Sequence, residues 1–95
     1  MKIYKYVVVP VETMEVTEHL IMPIVAQPLS VGWQDRVGVV LWASVLGDEL
    51  HRTREYEFKF VPTGGPTFSA IGLPFVGTVQ MPGGVVGHLF CEGAE

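Results

Sequence analysis

The residues able to do chemistry in this chain are few and widely spaced. Its histidines are His19, His51 and His88, separated by 32 and 37 residues. A zinc site draws three or four ligands together, usually from closely spaced pairs, and the chain offers no such pair. The bland reading is favoured: His19 and His51 are loop residues, and His88 sits on the less buried face of the last strand. The single cysteine, Cys91, would need a nearby histidine to lower its pKa before it could act as a nucleophile. His88 lies three residues away, so in a strand the two side chains leave opposite faces. Cys91 therefore reads as a small structural residue. Asp48 and Glu49 stand beside His51 and Arg52, a composition that catalytic clusters share with solvated turns, and the turn is the commoner case. Gly64-Gly65 and Gly83-Gly84 lack the lysine and the following helix that make a phosphate cradle, and no nucleophile elbow is present. Glycine at these places serves turn geometry. No catalytic residue, metal ligand or cofactor is assigned.

Binding is a better prospect than catalysis. Exposed tryptophan and tyrosine are favoured interface anchors. Trp33 and Trp42 fall on opposite phases of a predicted hairpin over residues 29–45, so both faces carry bulky groups. Trp42, Tyr4 and Tyr6 are the candidate partner-binding residues, with Gly64 and Gly65 of the long 62–74 loop as further candidates. One alternative is a small-ligand pocket lined by Tyr56, Phe58 and Phe60. A remoter one is a metal-dependent hydrolase using His88 with the loop from Asp48 to His51.

The elements that must position these residues are strands. Period-2 alternation and β-branched or aromatic content predict strands over 2–9, 12–18, 29–34, 39–45, 53–61, 75–80 and 85–91. In the first, Ile3, Val7 and Val9 share one face, and Tyr4, Tyr6 and Val8 the other. The segment 12–18 puts Met14 and Val16 on a half-buried face and is expected to pair with the first strand. Residues 20–28 are apolar but interrupted by Pro23 and Pro28, and read as a connection packed on the core. Residues 39–45 are apolar on both faces, as in a central strand. In 53–61, Arg54, Tyr56, Phe58 and Phe60 alternate with Glu55, Glu57 and Lys59. Residues 62–74 form a long connection with at most one helical turn, near Phe68–Ile71. Met81-Pro82-Gly83-Gly84 has the composition of a tight turn. Gly32, Gly77 and Gly87 inside strands suggest bulges or barrel bends. The sum is a small all-β domain, a single antiparallel barrel or sandwich spanning 1–95, because no amphipathic helix is on offer to cover a sheet.

Bulk properties narrow the function further. Hydrophobic residues make up 48% of the 95-residue chain and charged residues 17%, below the usual charged share of about 25%. That excess of apolar surface in so small a protein is commonly covered by a partner, often a second copy, so a homodimer is expected. The net charge is −4 and the six basic residues form no stripe, which argues against nucleic-acid binding. No apolar run approaches the ~18 residues of a membrane-spanning helix, and the alternating Met1-Lys2-Ile3-Tyr4-Lys5-Tyr6 is unlike a signal peptide. A lone cysteine suits a reducing compartment, and the expected location is the cytoplasm.

Several short motifs recur in order along the chain: Met1-Lys2-Ile3-Tyr4-Lys5-Tyr6, Met22-Pro23, Val31 with Gln34, Leu41-Trp42-Ala43, Thr63-Gly64-Gly65-Pro66, Gly77-Thr78-Val79-Gln80 and His88-Leu89-Phe90. Together they resemble a family of small uncharacterised proteins of bacteriophages and prophage-bearing bacteria. The resemblance implies phage or prophage origin and little more; a binding module of that origin is expected to act on a host or phage protein. Family members usually carry Gly-Thr-Gly-His-Pro in the loop that here reads Pro62-Thr63-Gly64-Gly65-Pro66. The missing histidine counts against catalysis in that loop.

Overall fold

In the computed structural model, residues 1–16, 19–47, 52–65, 70 and 72–94 are described. They form seven strands: β1 (Lys2–Pro10), β2 (His19–Pro23), β3 (Gln27–Gln34), β4 (Gly38–Val45), β5 (Thr53–Pro62), β6 (Phe75–Gln80) and β7 (Val86–Cys91), with a 3-10 turn at Pro82–Gly84. All pairings are antiparallel. One sheet has the order β1-β4-β3 and the other the order β2-β5-β7-β6. The all-β expectation holds, and its layered form is two sheets face to face. β5 serves both halves of its sheet, pairing through Thr53–Glu57 with β2 and through Phe58–Pro62 with β7.

The core lies between the layers. Val39, Leu41, Ala43 and Val45 of β4 meet Leu20, Met22, Tyr56, Phe58, Val79, Leu89 and Cys91 of the second sheet. β4 is buried along nearly its whole length, as a central strand with apolar residues on both faces should be. On its outer face Val40 is fully buried. The Lys5 ammonium donates to Gln34 Oε1 at 2.8 Å. Lys5 pairs with Trp42 and Gln34 with Gly38, so this bond runs from β1 to β3 over the level of Val40, with the apolar lysine stem laid along the sheet.

Two expected elements are exchanged. Residues 12–16 are turn and irregular chain instead of strand. Met14 N donates to Pro10 O at 2.8 Å and Met14 takes φ 53, a left-handed conformation that ends any extended run. A strand not expected is β2, which pairs with β5 in the other sheet and takes up the start of the 20–28 segment read as a connection. Pro23 closes β2, and Pro28 lies in β3; both are edge strands, where a missing N–H leaves no gap in a ladder. His19 is accordingly the first residue of β2, not a loop residue.

The strand glycines divide. Gly77 adjoins a bulge in β6 and lets β6 approach β3, where an added methyl would lie 3.1 Å from Val31 Cγ1. Gly87 and Gly32 do something else: each has an aromatic ring from the neighbouring strand laid over it. A methyl at 87 would run into the Phe60 ring, and one at 32 would sit 3.0 Å from the Trp42 ring. These glycines are landing places for rings rather than bends.

Candidate functional site

At one end of the two layers, three chain segments enclose an apolar groove of about 380 Å³, lined by Val11, Met14, Trp33, Met81, Pro82 and Val85 and open on one side. Each segment is held by backbone hydrogen bonds. Val11 N donates to Val37 O at 3.0 Å, tying the chain after β1 to the β3–β4 turn. Met14 is fixed by its bond to Pro10. Met81 N donates to Val85 O at 2.7 Å, and left-handed Gly83 and Gly84 (φ 84 and 79) turn the chain between them. Trp33 faces inward at the end of β3, packed against the core. Its indole N–H donates to Asp35 Oδ1 at 3.0 Å, which fixes the ring plane. A groove so pinned is pre-formed, and binding to it costs little ordering entropy.

The residues expected to form one binding face do not share one. Trp42 pairs with Lys5 and lies on the outer face of its sheet. Tyr4 and Tyr6 pair with Ala43 and Leu41 and pack against the core. Burial, with Tyr4 and Tyr56 nearby, pushes the Tyr6 hydroxyl above its ordinary pKa. Gly64 and Gly65 turn the chain after β5, with Gly65 N donating to Pro62 O at 2.9 Å. Tyr56 and Phe58 are buried in the core and Phe60 covers Gly87; the groove described above is lined by none of the three.

His88, Cys91 and Glu92 are satisfied in place. His88 stands on the outer face of β7, its Nε2 2.8 Å from Thr63 Oγ1 and its Nδ1 2.9 Å from Thr78 Oγ1. Both ring nitrogens are thereby engaged. Cys91 is on the opposite, inner face, fully buried. Burial, assisted by Glu92 and opposed by Arg54, pushes its thiol up to about 12, which removes the thiolate at neutral pH. The Glu92 carboxylate accepts from Glu57 N and from the Arg54 guanidinium, each at 3.1 Å. Those two partners hold it below the usual carboxylate range. Arg54 also lies over the Tyr56 ring, 3.8 Å from its centroid. The Tyr56 hydroxyl donates to Pro23 O at 2.8 Å, with the Ile24 and Ala26 carbonyls beside it. This chain of contacts fastens the C-terminal segment and the β2–β3 connection to the core. Among the described residues no group of three His, Cys, Asp or Glu is placed to hold a metal. The loop from Asp48 to His51, and Phe68, Ser69 and Ile71 of the expected helical turn, lie outside the described residues.

Sequence reasoning therefore missed the groove. Met14 was expected within a half-buried strand and Met81-Pro82 as turn punctuation. The available signal was an apolar residue set beside turn-forming or acidic neighbours: Met14 between Thr13 and Glu15, Met81 before Pro82, Val85 after Gly84.

Fold and site together define a small antiparallel two-sheet protein with a pre-formed apolar groove at one end. The chain belongs to the family described as Domain of unknown function (DUF7352), whose model matches residues 1–95. Neither a curated protein nor a solved structure matches it. No helix among the described residues is long and apolar enough to cross a membrane.

Proposed function

We propose that this protein is a non-catalytic binding module whose end groove receives apolar side chains of a protein partner. The observation that carries the reading is the groove itself: Trp33, Met14 and Met81 face open space on backbone that hydrogen bonds already hold. Flexible, polarisable methionine beside a rigid tryptophan suits recognition of apolar side chains. The reactive groups support it from the other direction, since His88 is engaged by two threonines and Cys91 is buried. The motif resemblance favours a host or phage protein as the partner, met in the cytoplasm. The outer face of the β1-β4-β3 sheet, where Ile3 is 60% exposed beside half-buried Trp42, is the face for a second copy in a homodimer.

The methionines make the test specific. Of the four, Met14 and Met81 line the groove, Met22 is core and Met1 is exposed. Proteins captured from host lysate are purified and titrated onto chain labelled with carbon-13 at the methionine methyls. Shifts at Met14 and Met81 with Met22 unmoved support the groove. A stoichiometric partner that leaves both signals in place refutes it. Sedimentation of the free protein, with Trp42→Ala alongside, tests the second copy.

A further inference from the structure

The charges on the segments that form the groove bear on what flanks the apolar side chain it takes. The segment carrying Val11 and Met14 also carries Glu12 and Glu15, both exposed. Glu15 N donates to Thr13 Oγ1 at 3.2 Å, which holds the backbone of this segment. On the second side, Asp35 accepts the Trp33 indole N–H through Oδ1, so the carboxylate is anchored to the groove's own aromatic floor. The third side, Met81 to Val85, carries no charge. The one cation on these three segments is Arg36, beside Asp35 in the β3–β4 turn. The balance is three carboxylates to one guanidinium, on a chain whose net charge is −4.

Met14 adds an independent sign that this end of the molecule is built for a ligand. It is 50% exposed and holds φ 53, a conformation that glycine or asparagine adopts at far lower cost than methionine. An apolar side chain kept half in water on strained backbone does little for the fold. Strain of this kind collects at sites that present a side chain to something else.

We propose that the groove reads a short segment of a partner protein in which an apolar side chain is flanked by lysine or arginine. This deepens the binding reading above and rests on it. The apolar residue enters between Met14, Trp33 and Met81. The flanking cation lies at the rim, toward the two segments that carry Asp35 and Glu12 with Glu15. Charge complementarity at a solvent-exposed rim speeds encounter and selects the partner more than it adds affinity. The volume, about 380 Å³, is at the low end for ligand clefts and fits one or two side chains rather than a folded domain edge.

The test is selection of a random displayed peptide library on the intact protein, followed by methionine-methyl titration of the selected peptides. The expected result is a consensus of one large apolar residue next to Lys or Arg, with shifts at Met14 and Met81. Replacing the peptide's basic residue by glutamine should weaken binding about three- to fivefold, as for an exposed ion pair. Asp35→Asn, which keeps an acceptor for the Trp33 N–H, should weaken it by a similar factor. Both losses should shrink in high salt. Peptides that shift Met14 and Met81 but carry no basic residue and ignore Asp35→Asn overturn this inference and leave the groove reading standing. If no selected peptide moves Met14 or Met81, both fall.

Discussion

Trp33 and Trp42 leave the same β3–β4 hairpin on opposite phases, and their surroundings differ in kind. Trp42, on the outer face, lays its ring across Gly32 and stands beside the Lys5–Gln34 bond that covers Val40. Part of its apolar surface is spent on its own sheet. Trp33, on the inner face, has its indole N–H fixed by Asp35, packs one side on the core and turns the rest to a groove that no other part of the described chain fills. The same residue type is a cover in one place and a floor in the other. What decides between them is the neighbouring chain: a glycine beside Trp42 accepts the ring, while the segments carrying Val11 with Met14 and Met81 with Val85 leave open space beside Trp33.

The comparison can be broken at several points. Core packing gives the largest effect: Phe58→Ala, at a fully buried position, should cost about 3–5 kcal/mol, read as a lower denaturant midpoint, and it should affect both tryptophan regions alike. Trp42→Ala should cost about 2 kcal/mol by uncovering Gly32 and Val40, or roughly 8–16 °C in Tm for a domain of this size, while leaving peptide affinity intact. Loss of peptide binding in Trp42→Ala with a native fold would reverse the roles of the two tryptophans. Met81→Glu puts a charge into the groove at a half-buried position; it should abolish peptide binding and lower stability by only about 1 kcal/mol.

The smallest effect is in acid. Glu92 has its pKa lowered in the folded state, first by the Glu57 N–H and then by Arg54. Its contribution is complete above the ordinary glutamate value of about 4.3 and is lost as pH falls through the lower folded value. Glu92→Gln should flatten that acid limb slightly and leave the groove unaffected. A steeper acid limb in Glu92→Gln contradicts the assigned direction.

Much of the fold was legible because alternation survives wherever a ladder runs unbroken. The aromatic row of β5, the two-faced apolar run of β4, the β6–β7 hairpin and the opposite facing of His88 and Cys91 all follow from period 2. The failures sit at three kinds of place. Bulges shift the phase without a residue to announce them: Val7 pairs with Val40 and Val9 with Val39, so Val8 and Val9 are both buried though adjacent, and Leu29, at the bulge in β3, is 45% exposed instead of sharing the fate of Val31. Prolines on edge strands read as breakers when they are not, which hid β2. Positive φ at Met14 and Arg36 has no local signature, since neither is glycine or asparagine. Met14 is the reason the groove was illegible, because its alternation with Val16 imitates a strand that the backbone does not form.

The central claim is that Met14 is held on strained backbone to serve the groove, and Met14→Gly measures it most directly. Relief of about 1–2 kcal/mol of left-handed strain outweighs the about 0.4–1 kcal/mol that glycine adds to the entropy of the unfolded chain. The variant should be as stable as the parent or up to about 1 kcal/mol more stable, and it should bind groove-selected peptides at least tenfold more weakly. A variant that is markedly less stable and binds those peptides as tightly as the parent would show Met14 to be ordinary packing and contradict the account.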